Sequence, residues 1–193
     1  KISADVVVPI PDSGVSAALG FSQKSSIPFE LGIIRSHYVG RTFIEPSQTI
    51  RQFGVKLKHS VNRSCIEDKR VILIDDSIVR GTTASKIVKM VYEAGAKEVH
   101  LGISCPPIKH PDFYGIDTPN YNELIASKSN IEEMTELVGA KSLFFLSLDG
   151  TYRAMGYNER NKELPQFTDH CFTGEYPIDI SEILKINSYN ASR

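Results

Sequence analysis

The stretch Ala4–Pro11, ADVVVPIP, is apolar without alternation. A strand with one face in water alternates apolar and polar residues, whereas a strand covered on both faces does not. The same unbroken pattern returns in KRVILID (Lys69–Asp75), KEVHLGISCPP (Lys97–Pro107) and SLFFLSL (Ser142–Leu148). Helical periods lie between these runs. In TTASKIVKMVYEAGA, residues Ala84, Ile87, Val88, Val91 and Ala94 share one face and Gly95 stands where a left-handed helix end belongs. In SNIEEMTELVGA, Ser129 and Glu132 form a capping box ahead of a face of Ile131, Met134, Leu137 and Val138. DSGVSAALGFSQKSS reads as a further helix with Asp12 or Ser13 as its cap, and IPFELGII as a short strand. Residues 35–63 show no clean period and read as a long, partly helical loop. Buried strands alternating with helices at short spacing predict an α/β fold, with a central, mostly parallel sheet flanked by helices. Residues 1–150 are expected to form the core, and 151–193 an irregular C-terminal extension packed on it.

A chain of 193 residues can bury a sizeable core, and 41% apolar with 23% charged residues is the balance of a globular domain. The net charge of −1 gives no pull toward nucleic acid or a membrane surface. Its distribution is uneven: six Lys/Arg and one acid lie between Arg35 and Arg63, against thirteen acids and seven Lys/Arg from Asp112 to the end. A basic segment on a nearly neutral protein suggests a small anionic ligand. The three cysteines are far apart and form no C-x-x-C, which predicts free thiols in a reducing, cytoplasmic setting. No apolar run is long enough to span a membrane. The N-x-[ST] matches at Asn62 and Asn190 read as chance. The chain opens almost directly in a strand and without Met, which reads as a cut within a longer protein.

The string VILIDDSIVRGTT (Val71–Thr83) carries the most chemistry. A buried strand ends on Asp75 and Asp76, and the next helix starts at Thr82 and Thr83 after Gly81. The free N–H groups of a helix N-terminus favour an anion, glycine lets the backbone approach it, and two hydroxyls add donors. That is a phosphate cradle over Val79, Arg80, Gly81, Thr82 and Thr83. Carboxylates beside a phosphate repel it unless they hold another part of the same molecule. A sugar diol fits, and the same carboxylates would stabilise positive charge developing at the anomeric carbon. Neither the G-x-x-x-x-G-K-[ST] nor the G-x-G-x-x-G spacing is present. Asp-Asp alone reads more simply as an acidic turn.

The full string resembles the phosphoribosyl-pyrophosphate (PRPP) binding motif of the type I phosphoribosyltransferases. PIPDSG, YVGRTFI, HPDFYGID, ELIAS and CFTGEYP, spread from Pro9 to Pro177, narrow the resemblance to the amidophosphoribosyltransferases of purine synthesis. The resemblance implies a type I phosphoribosyltransferase fold and a reaction in which ammonia displaces pyrophosphate from C1 of PRPP. Asp75 and Asp76 then hold the ribose hydroxyls and, with Ser13, Mg²⁺; residues 79–83 hold the 5′-phosphate. A flexible loop from about Tyr38 to Arg63 closes over the substrate, and Arg41 neutralises the leaving pyrophosphate. Arg80 has two readings, a phosphate contact or a solvent-facing cation.

The resemblance also implies partners and departures. Purine nucleotides act as feedback inhibitors in the family, a glutaminase domain precedes this region, and the assembly is a homo-oligomer. None of the glutaminase domain, nor the first part of the transferase domain, is in the sequence. Some members carry an iron–sulfur cluster. Here Asp112 stands where they have a cysteine and PQFTDH where they have a C-x-x-C, so no cluster is expected, since Cys171 alone cannot supply the four thiolates needed. Two rivals share the cradle: a salvage phosphoribosyltransferase, which needs a nucleobase pocket, and a PRPP-sensing regulator, which needs a DNA-binding element.

Overall fold

The structure is a computed structural model that describes residues 2–36, 59–116, 118 and 120–181. Six strands are found among the described residues: β1 (Val6–Pro9), β2 (Ile33–Arg35), β3 (His59–Val61), β4 (Arg70–Asp75), β5 (Glu98–Ile103) and β6 (Ser142–Phe145). The four unbroken apolar runs form one sheet of order β1-β4-β5-β6, parallel throughout. β4 lies inside it, with Val71, Ile72, Leu73 and Ile74 all buried.

Helix α1 (Val15–Ser25) follows β1, α2 (Arg63–Ile66) follows β3, and α3 (Thr82–Glu93) joins β4 to β5. Helices α4 (Ile125–Lys128) and α5 (Ile131–Val138) precede β6, and α6 (Leu148–Ala154) and α7 (His170–Thr173) follow it. One face of the sheet packs Val71 and Leu73 against Ile87, Val88, Val91, Met134 and Val138 of α3 and α5. The other packs Ile72 and Ile74 against Ala17, Ala18 and Phe21 of α1. The α3 face is the expected one, and Gly95 follows the helix at φ 97°. Burying each of Ile87, Val88 and Val91 stabilises the fold by about 1.5–3 kcal/mol.

Several local expectations differ from the structure. Neither Asp12 nor Ser13 caps α1; Gly14 is the N-cap, with no side-chain hydrogen bond. Both side chains are engaged elsewhere, Asp12 with Arg35 and Ser13 with Asp75. The capping box of α5 sits one residue later than expected: Asn130 accepts from Glu133 N at 2.9 Å and Glu133 Oε2 accepts from Asn130 N at 2.9 Å. Both registers offer a capping residue with Glu three positions on; Met134 and Val138 are buried as expected, while Ile131 and Leu137 are exposed.

The segment 27–34 is not one strand. Phe29 bridges Val7 on the free edge of β1, and Ile33–Arg35 pairs antiparallel with β3 in a separate two-stranded sheet. Residues 59–61, expected within the 35–63 loop, are therefore strand, and a helical turn, 63–66, begins at the end of that stretch. Helix α6 runs across residue 150, and α7 adds a helical turn to the expected irregular extension.

Candidate active site

In a parallel sheet, ligands collect beyond the carboxyl ends of the strands. β1 ends at Pro9 and β4 at Asp75, side by side. Gly14 makes the approach possible: a Cβ there would lie 2.1 Å from the Ile74 carbonyl oxygen. The turn Pro11–Gly14 is thereby pressed against the end of β4, with Ile10 N donating to Ile74 O at 2.8 Å. The Ser13 hydroxyl donates to Asp75 Oδ1 at 3.1 Å. Asp12 takes Arg35 Nη1 at 2.7 Å, tying the turn to β2.

Asp75 Oδ1 also accepts from Asp76 N at 2.9 Å. Burial, with the charge of Asp76 beside it, pushes the Asp75 carboxyl up to about 6, against the pull of the Asp76 amide and the Ser13 hydroxyl. A carboxylate held this way gains from a cation. Two carboxylates and a hydroxyl are hard oxygen donors, the set that binds Mg²⁺ through one or two carboxylates while substrate oxygens and water complete the shell. Ser13, Asp75 and Asp76 thus fit that ion.

The chain then turns through Ser77–Arg80 into α3. Gly81 is its N-cap at φ 76°, a conformation that favours glycine, and a Cβ there would meet Ile125 Cδ1 at 2.9 Å. The opening N–H groups of α3 have no intrahelical acceptor, and Thr82 and Thr83 add their hydroxyls at the same place. Ser13, Asp75, Asp76, Val79, Arg80, Gly81, Thr82 and Thr83 all line one cleft of about 760 Å³. Every candidate residue that the structure describes is therefore gathered in one place. Arg41, with the rest of YVGRTFI, lies outside the described residues.

Arg35, His59 and Glu123, none of them a site candidate from the sequence, also line the cleft. Arg35 and His59 are paired across β2 and β3, so the ends of that small sheet bring a cation and an imidazole to the rim. Their sequence signal was the basic stretch 35–63, in which both lie. Glu123 opens the ELIAS motif, and its Oε2 accepts from Arg80 Nε at 2.6 Å. Arg80 is thus an ion-paired residue of the cleft wall, which goes beyond either reading of it in isolation.

A second polar centre lies in the region that raised the question of a cluster. Asp112, His170 and Cys171 have potential ligand atoms within 4.8 Å of one another. Asp112 Oδ1 is 2.6 Å from His170 Nε2, and its Oδ2 accepts from Tyr114 N at 2.9 Å and Ile116 N at 2.7 Å. The backbone amides of Lys109 and His110 donate to the Cys171 carbonyl at 2.9 and 3.0 Å. These contacts hold the segment after β5 to α7. Burial pushes the Cys171 thiol up to about 11, so it stays protonated at neutral pH.

A family model, the phosphoribosyl transferase domain, matches residues 1–115. The chain belongs to the phosphoribosyltransferase family. It is 63% identical over 177 residues to the amidophosphoribosyltransferase of Rhizobium etli, covering 91% of this chain and 36% of that protein. It is 54% identical over 182 residues to the chloroplastic amidophosphoribosyltransferase 1 of Arabidopsis thaliana, covering 94% and 31%. The solved glutamine PRPP amidotransferase of Bacillus subtilis, in complex with ADP and GMP, superposes with a TM-score of 0.82 at 51% identity, covering 94% of this chain and 40% of the other. This phosphoribosyltransferase chain spans about a third of the length of the curated relatives it matches. Among its described residues, no helix is long and apolar enough to cross a membrane.

Proposed function

We propose that the chain is the phosphoribosyl-transferring part of an amidophosphoribosyltransferase, in which ammonia displaces pyrophosphate from C1 of PRPP to give 5-phosphoribosylamine. The observation that carries this reading is the meeting of two carboxylates and a glycine-led helix N-terminus in one cleft, Asp75 and Asp76 on one side and Gly81, Thr82 and Thr83 on the other. The extensive identity to amidophosphoribosyltransferases supports it and argues against a salvage enzyme or a regulator.

Residues Val79–Thr83 receive the 5′-phosphate with backbone amides and hydroxyls, which fixes the sugar at one end. Asp75 and Asp76 accept the ribose hydroxyls, and their negative charge stabilises the positive charge that grows at C1 as the bond to pyrophosphate lengthens. Ammonia carries its own lone pair, so the residues here need supply no base for attack. Ser13, Asp75 and Asp76 would hold Mg²⁺, whose contribution is to neutralise the departing pyrophosphate. Arg41 is proposed to assist that neutralisation, within a loop that closes over PRPP and keeps water from competing.

The same reading extends to the complete protein. An N-terminal glutaminase domain supplies ammonia, purine nucleotides act as inhibitors, the enzyme is a homo-oligomer without nucleic-acid or membrane partners, and the reaction runs in the cytoplasm or an organelle. Within the chain, 1–150 is the transferase core and 151–193 its packed extension; no iron–sulfur cluster is expected. The test follows pyrophosphate release from Mg²⁺–PRPP with ammonium, with a purine or pyrimidine base, and with neither. Release that depends on ammonium is expected. Release that depends on a base would instead make the protein a salvage enzyme.

A further inference from the structure

The ELIAS motif has no role in the chemistry above, yet it is built against the phosphate-binding turn at three points. Ile125 N donates to the Val79 carbonyl at 2.9 Å. The Ile125 side chain fills the space where Gly81 lacks a Cβ, 2.9 Å from that position. Glu123 Oε2 takes Arg80 Nε at 2.6 Å. The motif is itself anchored: Leu124 is fully buried, and the Ser127 hydroxyl donates to the carbonyls of Tyr121 and Leu124 at 2.6 and 2.8 Å. It behaves as a mould for residues 79–81.

Glu123 is the unexpected part of that mould. An unneutralised carboxylate on the wall of a phosphate cleft opposes the ligand. Its placement becomes reasonable through Arg80. A guanidinium has five donors in a planar fork, and Glu123 uses only the one at Nε. The Nη1 and Nη2 donors have no hydrogen-bond partner among the described residues, while Arg80 lines the same cleft as Gly81, Thr82 and Thr83. Holding Arg at Nε fixes the plane of the fork without consuming the end that grips a phosphate.

We propose that Glu123 is a positioning residue of the phosphoribosyl site: it orients Arg80 so that the guanidinium fork meets an anionic oxygen of the sugar phosphate. The inference rests on the reading of the cleft as a phosphoribosyl site, and it assigns Glu123 and the rest of ELIAS a purpose there. Two rival roles predict other behaviour. If Glu123 acted only by its charge, its removal would lower repulsion and tighten anion binding. If it acted only on the fold, its removal would act independently of Arg80.

The experiment is a calorimetric titration of ribose 5-phosphate into the chain, with thermal melts of each variant. The set is wild type, Glu123→Ala, Glu123→Gln, Arg80→Ala and the double variant. Glu123→Ala is expected to weaken binding about three- to tenfold, the range of an exposed charge-assisted contact, with an unchanged melting temperature. Glu123→Gln, whose amide oxygen still accepts from Nε, recovers part of that loss. In the Arg80→Ala background, Glu123→Ala has no further effect, because the coupling runs through the guanidinium. Equal or tighter binding by Glu123→Ala, or the same loss with and without Arg80, would overturn the inference while leaving the site intact. Failure of the wild-type chain to bind ribose 5-phosphate would instead overturn the reading of the cleft, and the inference with it.

Discussion

The Ser13 hydroxyl donates to Asp75 across 3.1 Å, tying the turn after β1 to the end of β4 over 62 residues of chain. This contact explains why a serine in a capping position leaves its helix uncapped. It also places a hydroxyl beside a carboxylate whose pKa burial raises.

Asp75→Asn is expected to abolish most turnover and yet to stabilise the ligand-free protein. An acid whose folded pKa, about 6, lies above its usual 3.8 disfavours the fold once ionised. That cost is absent below about pH 4, grows between pH 4 and 6, and is complete above 6. Denaturant titrations at pH 4 and pH 8 check this. The variant should match wild type at the lower pH and exceed it by about 1–3 kcal/mol at the higher. Equal stability at both would contradict the strain. The asparagine keeps an oxygen for Ser13 and Asp76 N, so the comparison isolates charge.

Asp76→Asn should lower kcat with ammonia more than it raises KM for PRPP, because the lost charge matters most where positive charge develops. Steady-state kinetics decides the point. A raised KM at unchanged kcat would assign Asp76 to substrate binding alone.

Gly14→Ala should be among the most damaging single substitutions outside the core. The added Cβ meets backbone, the Ile74 carbonyl oxygen at 2.1 Å, which no rotamer change relieves. A loss of about 3 kcal/mol or more is expected from such overpacking, read by chemical denaturation.

Asp112→Asn should loosen the contact between the segment after β5 and α7. The carboxylate is desolvated, but the amides of Ile116 and Tyr114 and the His170 ring hold its pKa below the usual range. An acid with a depressed pKa adds stability above its unfolded value and loses it as pH falls through the folded one. Hydrogen exchange at residues 109–116 and 169–176 should rise about tenfold or more at neutral pH, since the amide offers one acceptor oxygen where the carboxylate offers two, and a buried group left unmatched costs about 1–3 kcal/mol.

The thiols offer a further check. Burial first, then Asp76 and Asp75, push Cys105 up to about 12, and burial pushes Cys171 up to about 11. Both should react with iodoacetamide at pH 8 at least tenfold more slowly than free cysteine. Fast labelling of Cys105 would contradict its placement beside the aspartates.

The sequence made the core of this fold legible because both its signals are local. Unbroken runs such as Val71–Ile74 mark double-sided burial, and Ala84, Ile87, Val88 and Val91 mark a helix face, with no partner needing to be known. The cleft was legible where its residues adjoin in the chain, as Asp75 through Thr83 do. Arg35 with Asp12 and Glu123 with Arg80 were not, because those pairs close over 23 and 43 residues and depend on topology. Caps failed for the same reason. Ser13 has its partner in Asp75, and Ser129-x-x-Glu132 and Asn130-x-x-Glu133 are equivalent as local patterns, so the sequence could not say which of them caps the helix. The small β2–β3 sheet was hidden because strands of three residues carry too few positions to show a period.

The most direct measurement is a crystal structure of the chain with PRPP and Mg²⁺. The account predicts the 5′-phosphate on the backbone amides of Gly81, Thr82 and Thr83, the ribose hydroxyls on Asp75 and Asp76, and the pyrophosphate toward Ser13. A sugar phosphate bound outside this cleft, or reversed so that pyrophosphate occupies the Thr82–Thr83 turn, would contradict it.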